Sequence, residues 1–527
     1  MTLLSDERAG GQEHEELREP DPLPDGARPE PLRRARLPDL VQSLPTSFWL
    51  AATLVLGLIV RLANLNALGF NSDEAVYGGQ SASLAGNPLF VNQFPVFRAH
   101  PLLLPTLLSP LFSSGTPDLR GRVVVALFGV ATIGAVYLIG RDLYGPKTGV
   151  VAALILAVMP YHLVVSRQLL LDGPSTLWIT LSMWMLARFV RTDRLEWLAA
   201  SAATLGLGVL TKETAIVLAG SVIIFLLLST EVRRPGRAVA LTLGVLIALS
   251  LVFPLAIDLA GRKSTGQNYL TWQLARSSNH AGLFYFTIIP AAIGWLVVAA
   301  AGVALLFRVN RTWRELLLVC WILVPLITLE IYPLKGYQYL LPIAPALALL
   351  AARGLATWHP PARWGSFTGA VARPVLAAVV VASLLTGAWA VVFPSAGAST
   401  LAGQGGVPGG REAGRWIGAN LVPGTELMTI GPSMANILEY YGHRPAQGLS
   451  VSTNPLHRNP SYTPIDNPDH SVRDGQFSYL VWDADSAYRS PSTARRLQVL
   501  ITRFHGIPVH TERAAGRPII IVYEVHS

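Results

Sequence analysis

Two adjacent carboxylates, Asp73 and Glu74, stand in the stretch LGFNSDEAVYGGQ, shortly after the apolar run FWLAATLVLGLIV. Acids in such a place can take a proton from an attacking hydroxyl or hold a divalent ion. They can equally serve a helix start, with Asn71 or Ser72 as N-cap and both acids in the first turn, where the helix dipole favours them. Four further stretches place ionisable side chains beside apolar runs. Asp172 lies in SRQLLLDGPSTLW, five residues after Arg167; with Pro174 in the first turn, capping is again an adequate local reading. Lys212 lies in GLGVLTKETAIVL, where a charge between two apolar runs must snorkel, pair with Glu213 or line a polar cavity. Lys335 lies in YPLKGYQYLLPIAP among Tyr332, Tyr337 and Tyr339, which would also suit an aromatic belt. Arg98 and His100 complete the set in FRAHPLLLP, although a lone loop histidine is more often a surface residue than a metal ligand.

The elements that must position these residues are those of an integral membrane protein. Of 527 residues, 51% are hydrophobic and 14% charged, against about 25% charged in ordinary soluble domains, and the apolar residues come in long blocks. The formal charge of +9 fits Lys and Arg retained on cytoplasmic loops better than a nucleic-acid partner. The single cysteine, Cys320, permits no intramolecular disulfide and no paired thiolate site. The first apolar block begins near residue 47 and is too long for the core of a cleaved signal, so it reads as a signal anchor. Before it, residues 1–45 are rich in Pro, Glu and Arg and read as a disordered cytoplasmic tail.

Apolar blocks follow near 47–66, 121–140, 148–165, 173–190, 195–210, 213–230, 238–258, 284–307, 316–332, 336–352 and 370–392. They predict about eleven spans in a mainly α bundle over residues 46–392. Basic residues collect at every second boundary: Arg33, Arg34 and Arg36; Arg141 and Lys147; Arg188, Arg191 and Arg194; Arg233, Arg234 and Arg237; Arg308, Arg311 and Arg314; Arg353, Arg363 and Arg373. That places the amino terminus in the cytoplasm and Asp73, Asp172, Lys212 and Lys335 outside, in a plasma membrane. The first outer segment, 67–120, carries DEAVYGGQSASLA and HPLLLPTLLSPLF, each shorter than a span and predicted to lie as interfacial helices. A Gly/Ser/Ala linker, 393–410, leads to an outer α/β domain, 411–527, in which REAGRWIGANL, SMANILEYY and STARRLQVLITRF read as helices and ELMTIG, FSYLVWD and PIIIVYEV as strands. It has no Gly-rich phosphate loop, and the chain has no evident internal repeat.

Acids and bases from at least four separated outer loops thus meet at the rim of one bundle, where positive-inside statistics disfavour basic residues. This predicts a polar cavity at the outer leaflet. There a carboxylate can act as base or metal ligand, while Arg and Lys hold a phosphate whose lipid tail lies in the bilayer. A lipid-phosphate sugar donor meets all three demands. A transporter or lipid flippase is the rival, since polar residues among spans also mark substrate paths; clustering at one face and the lack of a repeat count against it. A scaffold displaying the outer domain would leave the acids as helix caps only.

The motifs DEAVY, the HP that opens the second interfacial piece, RQLLLDGP, GLGVLTKETA and KGYQYLLPIAPALALLAARGL resemble, in order and side, glycosyltransferase family 39 over roughly residues 47–355. That family includes protein O-mannosyltransferases and the lipid A aminoarabinose transferase, and has the membrane fold called GT-C. The resemblance implies inverting transfer of a sugar from polyprenyl phosphate to an acceptor hydroxyl of a protein, lipid or glycan, outside the membrane. By position, Asp73 matches the base, with Glu74 sharing or supporting that role, and Asp172 a second acid. Lys212 and Lys335 match donor-phosphate positions, with Arg167 and Arg98 as further candidates from their place in the chain. Tyr77, Tyr339 and, beside them, Tyr337 and His100 would contact substrate. A divalent metal, on Asp73, Glu74 and His100, is compatible with the pattern. Two departures stand out: Ala99 and His100 replace a Glu-Lys pair of the aminoarabinose branch, and Val76 a basic residue of some members. Both count against that branch's metal site and against lipid A as acceptor.

Overall fold

The computed structural model describes residues 45–98, 100–261, 278–306, 312–358, 365–394 and 407–526, with isolated positions between 268 and 276. The predicted tail before Pro45, most of the linker 393–410, Ala99, part of the outer loop 259–283, and Arg308, Arg311 and Arg363 lie outside the described residues.

Every one of the apolar blocks falls on a helix. In chain order they are α1 (Thr46–Leu62), α2 (Ser72–Leu84), α3 (Leu103–Leu108), α4 (Asp118–Tyr144), α5 (Pro146–Val158), α6 (Pro160–Ser166), α7 (Asp172–Thr192), α8 (Leu195–Thr211) and α9 (Val217–Leu228). Then follow α10 (Pro235–Ser250), α11 (Val252–Leu259), α12 (Phe284–Ile293), α13 (Trp295–Leu306), α14 (Trp313–Ile331), α15 (Ala344–Thr357) and α16 (Gly365–Val392). Among the described residues, four segments are by themselves long and apolar enough to cross a membrane, Asp118–Tyr144, Pro235–Leu259, Tyr337–Thr357 and Ala372–Val392. Two bent pairs, α5/α6 at 61° and α12/α13 at 102°, bring the number that qualify by length and composition to six, and the other apolar blocks fall on shorter or more polar helices. The chain is thus a multi-pass membrane protein whose helices are interrupted where the sequence places Pro, Gly or charge.

Each interruption has a local cause. Pro160 has no N–H to donate, so the α5/α6 ladder breaks there. The freed Ala157 carbonyl accepts from Arg61 Nη1 at 3.0 Å. Arg61 is fully buried and also donates to Ser166 Oγ at 3.0 Å, the Gly57 carbonyl at 2.9 Å and His162 Nδ1 at 2.7 Å. At the α12/α13 bend Gly294 has φ 105°, and a Cβ there would lie 2.7 Å from Leu384 Cδ2.

The predicted interfacial helix α2 does form, but it is not a surface element. Glu74, Ala75, Tyr77 and all residues from Gly78 to Ser83 are buried. Its Gly-Gly pair explains how it packs: a Cβ on Gly79 would fall 2.3 Å from the Phe94 ring, so only glycine admits that ring.

After the bundle come α17 (Gly410–Asn420), β1 (Glu426–Thr429), α18 (Pro432–Gly442), β2 (Ala446–Gly448), α19 (Pro468–Arg473), β3 (Phe477–Asp483), α20 (Ala484–Arg489), α21 (Pro491–Arg503), β4 (Ile507–Ala514) and β5 (Arg517–Glu524). The strands form one sheet in the order β2-β1-β3-β5-β4. β1 runs parallel to β2 and β3, and β5 antiparallel to β3 and β4. The β4/β5 hairpin turns at Ala515 and Gly516, both at positive φ, the backbone twist such hairpins favour. Met428, Ile430, Leu480, Leu497 and Phe504 close a core on one side of the sheet. The six expected elements are all present; β2, β4, α19 and α20 are additions.

This layer and the bundle form one compact unit, Thr46–Ser527. Helices α17 and α18 grip the chain that leads into α2. Arg411 Nη1 donates to Asp118 Oδ2 at 3.2 Å and to Asn66 Oδ1 at 2.8 Å. The Tyr441 hydroxyl donates to the same Asp118 oxygen at 3.0 Å and accepts from the Phe70 N–H at 2.7 Å. Asp118 and Arg411 are both buried. Asp118→Ala takes the buried carboxylate from Arg411, which keeps Asn66 and Glu412, and from the Tyr441 hydroxyl, and is expected to cost about 1–3 kcal/mol of stability. Thermal unfolding in detergent checks this; an unchanged midpoint would show that docking does not depend on the pair.

Candidate active site

The first turn of α2 is held from several sides. Asn71 is the N-cap: its Oδ1 accepts from the Glu74 N–H and its own N–H donates to Glu74 Oε2, both at 3.0 Å, a capping box. The Asn71 amide also donates to Gln168 Oε1 at 2.8 Å. Glu74 is wholly buried and receives a fork from Arg122, Nε to Oε1 and Nη2 to Oε2, each at 2.7 Å. The Leu169 N–H adds a bond to Oε1 at 2.8 Å. Arg122 spends its remaining N–H groups on the carbonyls of Leu65, Leu68 and Gly69 at 3.1, 2.7 and 2.8 Å. A carboxylate with every acceptor position filled has no lone pair for a substrate proton. Glu74, expected as a catalytic partner of Asp73, is instead an anchor.

Asp73 is the exception in that turn. It is exposed and, among the described residues, has neither an ion pair nor a hydrogen bond. Its charge is nevertheless felt at Tyr77, His100, Asp172 and Tyr339. These groups come from α2, the following loop, the start of α7 and the 3-10 turn Tyr337–Ile343.

The neighbours of Asp73 are paired. Asp172 opens α7 without capping it, since Leu171 is the N-cap and no side chain bonds there. Its Oδ1 instead takes Lys212 Nζ at 2.6 Å, both groups being buried. Lys212 sits at the break between α8 and the 3-10 turn Glu213–Ile216, and its ammonium lies 4.3 Å from the Tyr339 ring centroid. Lys212 does not pair with Glu213, the local reading of KE; Glu213 turns to His100 Nδ1 at 2.9 Å. The His100 ring lies 5.9 Å from Tyr77 and 5.8 Å from Tyr269. Burial alone would lower the His100 pKa, but the Glu213 charge and hydrogen bond outweigh it, and the imidazole titrates above its ordinary value. Burial, followed by the Asp73, Asp172 and Glu213 charges, pushes the Tyr77 phenol well up, so Tyr77 remains a neutral donor.

Other expected residues lie elsewhere. Arg167 Nη1 donates to the carbonyls of Val60, Arg61 and Ala63 at 2.7, 2.9 and 2.7 Å, so one nitrogen of its guanidinium closes the end of α1. Arg98 Nη2 donates to Asn436 Oδ1 at 3.1 Å and its guanidinium lies 4.9 Å from the Tyr462 ring, tying the loop between α2 and α3 to α18. Lys335 Nζ stands 3.5 Å from Glu330, which also accepts from the first N–H groups of α12 at 3.1 and 2.9 Å. Tyr337 is buried and accepts, through its carbonyl, from the Tyr161 hydroxyl at 2.6 Å. No three His, Cys, Asp or Glu side chains among the described residues stand together as a metal site. Asp73, Glu74 and His100 do not assemble as a ligand set, because Glu74 is committed to Arg122 and His100 to Glu213.

Residues missed in the sequence are Arg122, Tyr269 and Arg276, while Glu213 figures there only as a partner for Lys212. An arginine at the start of an otherwise apolar helix was a signal for Arg122. Arg276 carried none: its guanidinium lies 4.5 Å from the Trp272 ring, its charge reaches Tyr332 and Tyr339, and it has no carboxylate partner among the described residues.

Residues 99–257 match the family model described as dolichyl-phosphate-mannose-protein mannosyltransferase. The chain is 27% identical over 239 residues to the undecaprenyl phosphate-alpha-4-amino-4-deoxy-L-arabinose arabinosyl transferase 1 of Sodalis glossinidius (strain morsitans), covering 41% of each. Two Bacillus subtilis (strain 168) proteins are each 29% identical over 136 and 142 residues. These matches span between 19% and 41% of the relatives' own lengths. In fold, ArnT from Cupriavidus metallidurans in the apo state is similar with a TM-score of 0.68 and 15% identity, over 90% of this chain and 98% of that one. The Archaeoglobus fulgidus oligosaccharyltransferase in the apo form follows at 0.59 and 14%, over 88% and 73%. The chain thus has the fold of these two glycosyl-transferring proteins, and its residues 99–257, which hold the HP, RQLLLDGP and GLGVLTKETA motifs, are similar to the mannosyltransferase family model.

Two measurements check the site. Glu74→Gln leaves Arg122 with an unpaired charge in a buried setting and is expected to lower stability by about 3–5 kcal/mol, read as a drop in the unfolding midpoint. For His100, whose folded pKa is raised, the ion-pair contribution is complete below the unfolded value of about 6.5 and fades as pH rises through the folded one. The midpoint gap between wild type and Glu213→Gln should therefore be widest at mildly acid pH and close at alkaline pH; a gap independent of pH would show that His100 does not titrate against Glu213.

Proposed function

We propose that the protein transfers a sugar from a polyprenyl-phosphate donor to an acceptor hydroxyl of a protein, lipid or glycan, at the outer face of the plasma membrane and with inversion. The observation that carries this reading is the contrast within the cluster: the other acids are paired, while Asp73 is exposed and unpartnered among them. A free carboxylate is what a general base must be. Asp73 takes the proton of the hydroxyl as its oxygen attacks the anomeric carbon from the face opposite the phosphate, and the glycosidic bond breaks with its electron pair going to the phosphate oxygen.

The leaving lipid phosphate gains charge, and cations must meet it. Lys212 retains two of its three N–H donors after its bond to Asp172. Arg276 adds a guanidinium with no carboxylate partner among the described residues. Asp172 then acts by aiming Lys212, while Tyr77, His100 and Tyr339 wall the pocket around the sugar. Lys335, 3.5 Å from Glu330, likewise keeps N–H donors for the phosphate. The names of the relatives favour a lipid-phosphate donor: one acts from undecaprenyl phosphate, and a crystal structure of the Cupriavidus ArnT, of TM-score 0.64, is bound to it. The topology that goes with this reading keeps the amino terminus inside and the α/β layer outside.

Membranes supplied with labelled polyprenyl-phosphate sugar should release polyprenyl phosphate as sugar reaches the acceptor. Asp73→Asn should lower that rate by about 10²–10⁴, with stability unchanged. Near-normal turnover would remove Asp73 as the base. Movement of intact lipid-linked sugar across the bilayer, without release by wild type, would favour the flippase reading.

A further inference from the structure

We infer that Asn436, on α18 of the C-terminal layer, is a positioning residue for Asp73, so that this layer is a working part of the site. The inference rests on the proposal that Asp73 is the base. Asn436 is 1% exposed, and its side chain meets three partners from three places in the chain. Its Nδ2 donates to Ser72 Oγ at 2.9 Å and to Tyr462 OH at 2.9 Å, and its Oδ1 accepts from Arg98 Nη2 at 3.1 Å. Both amide hydrogens are used, so the amide has one orientation that serves all three.

Ser72 immediately precedes Asp73. In the first turn of α2, Asn71 is tied to Gln168, Glu74 to Arg122 and Leu169, and Ser72 to Asn436. Each residue of the turn except Asp73 is fixed to another part of the chain. The ties of Asn71 and Glu74 come from the bundle; that of Ser72 comes from α18, so the two residues flanking the carboxylate, Ser72 and Glu74, are held from opposite parts of the molecule. A base has to meet its proton within hydrogen-bond reach, and small misplacements by remote groups are costly in rate. Freed at Ser72, the turn keeps its cap and its Arg122 anchor, and so stays helical. What it loses is the lateral restraint that fixes where Asp73 points. Asn436 touches neither Lys212 nor Arg276, so donor binding should not depend on it.

The test is steady-state transfer by the full-length protein with labelled polyprenyl-phosphate sugar. Ser72→Ala and Asn436→Ala should each lower kcat about ten- to hundredfold, leaving the donor KM within about twofold. Ser72→Ala leaves the bonds of Asn436 to Arg98 and Tyr462 in place, so it reports on position even where Asn436→Ala folds poorly. The double variant should be no slower than the slower single one, because both remove the same bond, and Ser72→Thr, which keeps the hydroxyl, should recover most of the rate. A kcat within twofold of wild type for Ser72→Ala, a loss that falls on the donor KM, or losses that multiply in the double variant would overturn the inference. Asp73→Asn is measured beside them. If it is inactive while Ser72→Ala is normal, the positioning role fails and the base stands; if Asp73→Asn turns over normally, both fail.

Discussion

The buried fork between Arg122 and Glu74 is the contact on which the start of α2 and the segments around it depend. Taking both charges out of water is expensive, and the pair persists because every donor and acceptor is used: the guanidinium reaches the carboxylate twice and three carbonyls of the 65–69 segment, while the carboxylate also holds the Asn71 and Leu169 N–H groups. One ion pair thus joins α4, the end of the first helix's loop, the start of α2 and the loop before α7. Remove it and the loop carbonyls, the capping box and the path into α7 lose their common partner together.

Around that fixed point the charges divide into two kinds. Arg61, Arg167, Arg122, Glu74 and Glu330 satisfy backbone groups that broken or ending helices expose, a need that is acute where no water can stand in. Lys212 pairs with Asp172 and His100 with Glu213, side chain to side chain. Asp73 belongs to neither group, which is why its chemistry differs from that of an identical carboxylate one residue away.

Much of this is legible in the sequence, and the limits have physical causes. Apolar runs mark helices because a bilayer permits little else, and all eleven runs are helical. The number of crossings is harder to read, because apolar runs such as Thr46–Leu62, Leu195–Thr211 and Glu213–Leu228 fold as helices shorter than a usual span. NSDE reveals its cap, but not which of its two acids is turned inward, since that is decided by Arg122, 48 residues further on. KE in GLGVLTKETA reads as a local pair; the backbone break at Lys212 sends the two side chains to different partners. Arg98 and Arg167 carry the right charge at the right side of the predicted membrane, yet one meets α18 and the other a helix end. Pairing over such distances leaves no trace in a single sequence. The strands β2 and β4 escape for a related reason: three residues of AQG, and a β4 rich in polar residues, lack the apolar alternation that marks β3 and β5.

The grip of α17 and α18 on residues 66–72 has a bearing on biosynthesis. Ser72 waits for a partner 364 residues downstream, Phe70 for one 371 downstream, and Asn66 for one 345 downstream. At ribosomal speeds of about 5–20 residues per second, that is a delay of tens of seconds between the emergence of the 66–72 segment and the arrival of what completes it. A nascent or truncated chain, even with its helices inserted, therefore lacks the finished turn, and the last segment made sets the first loop.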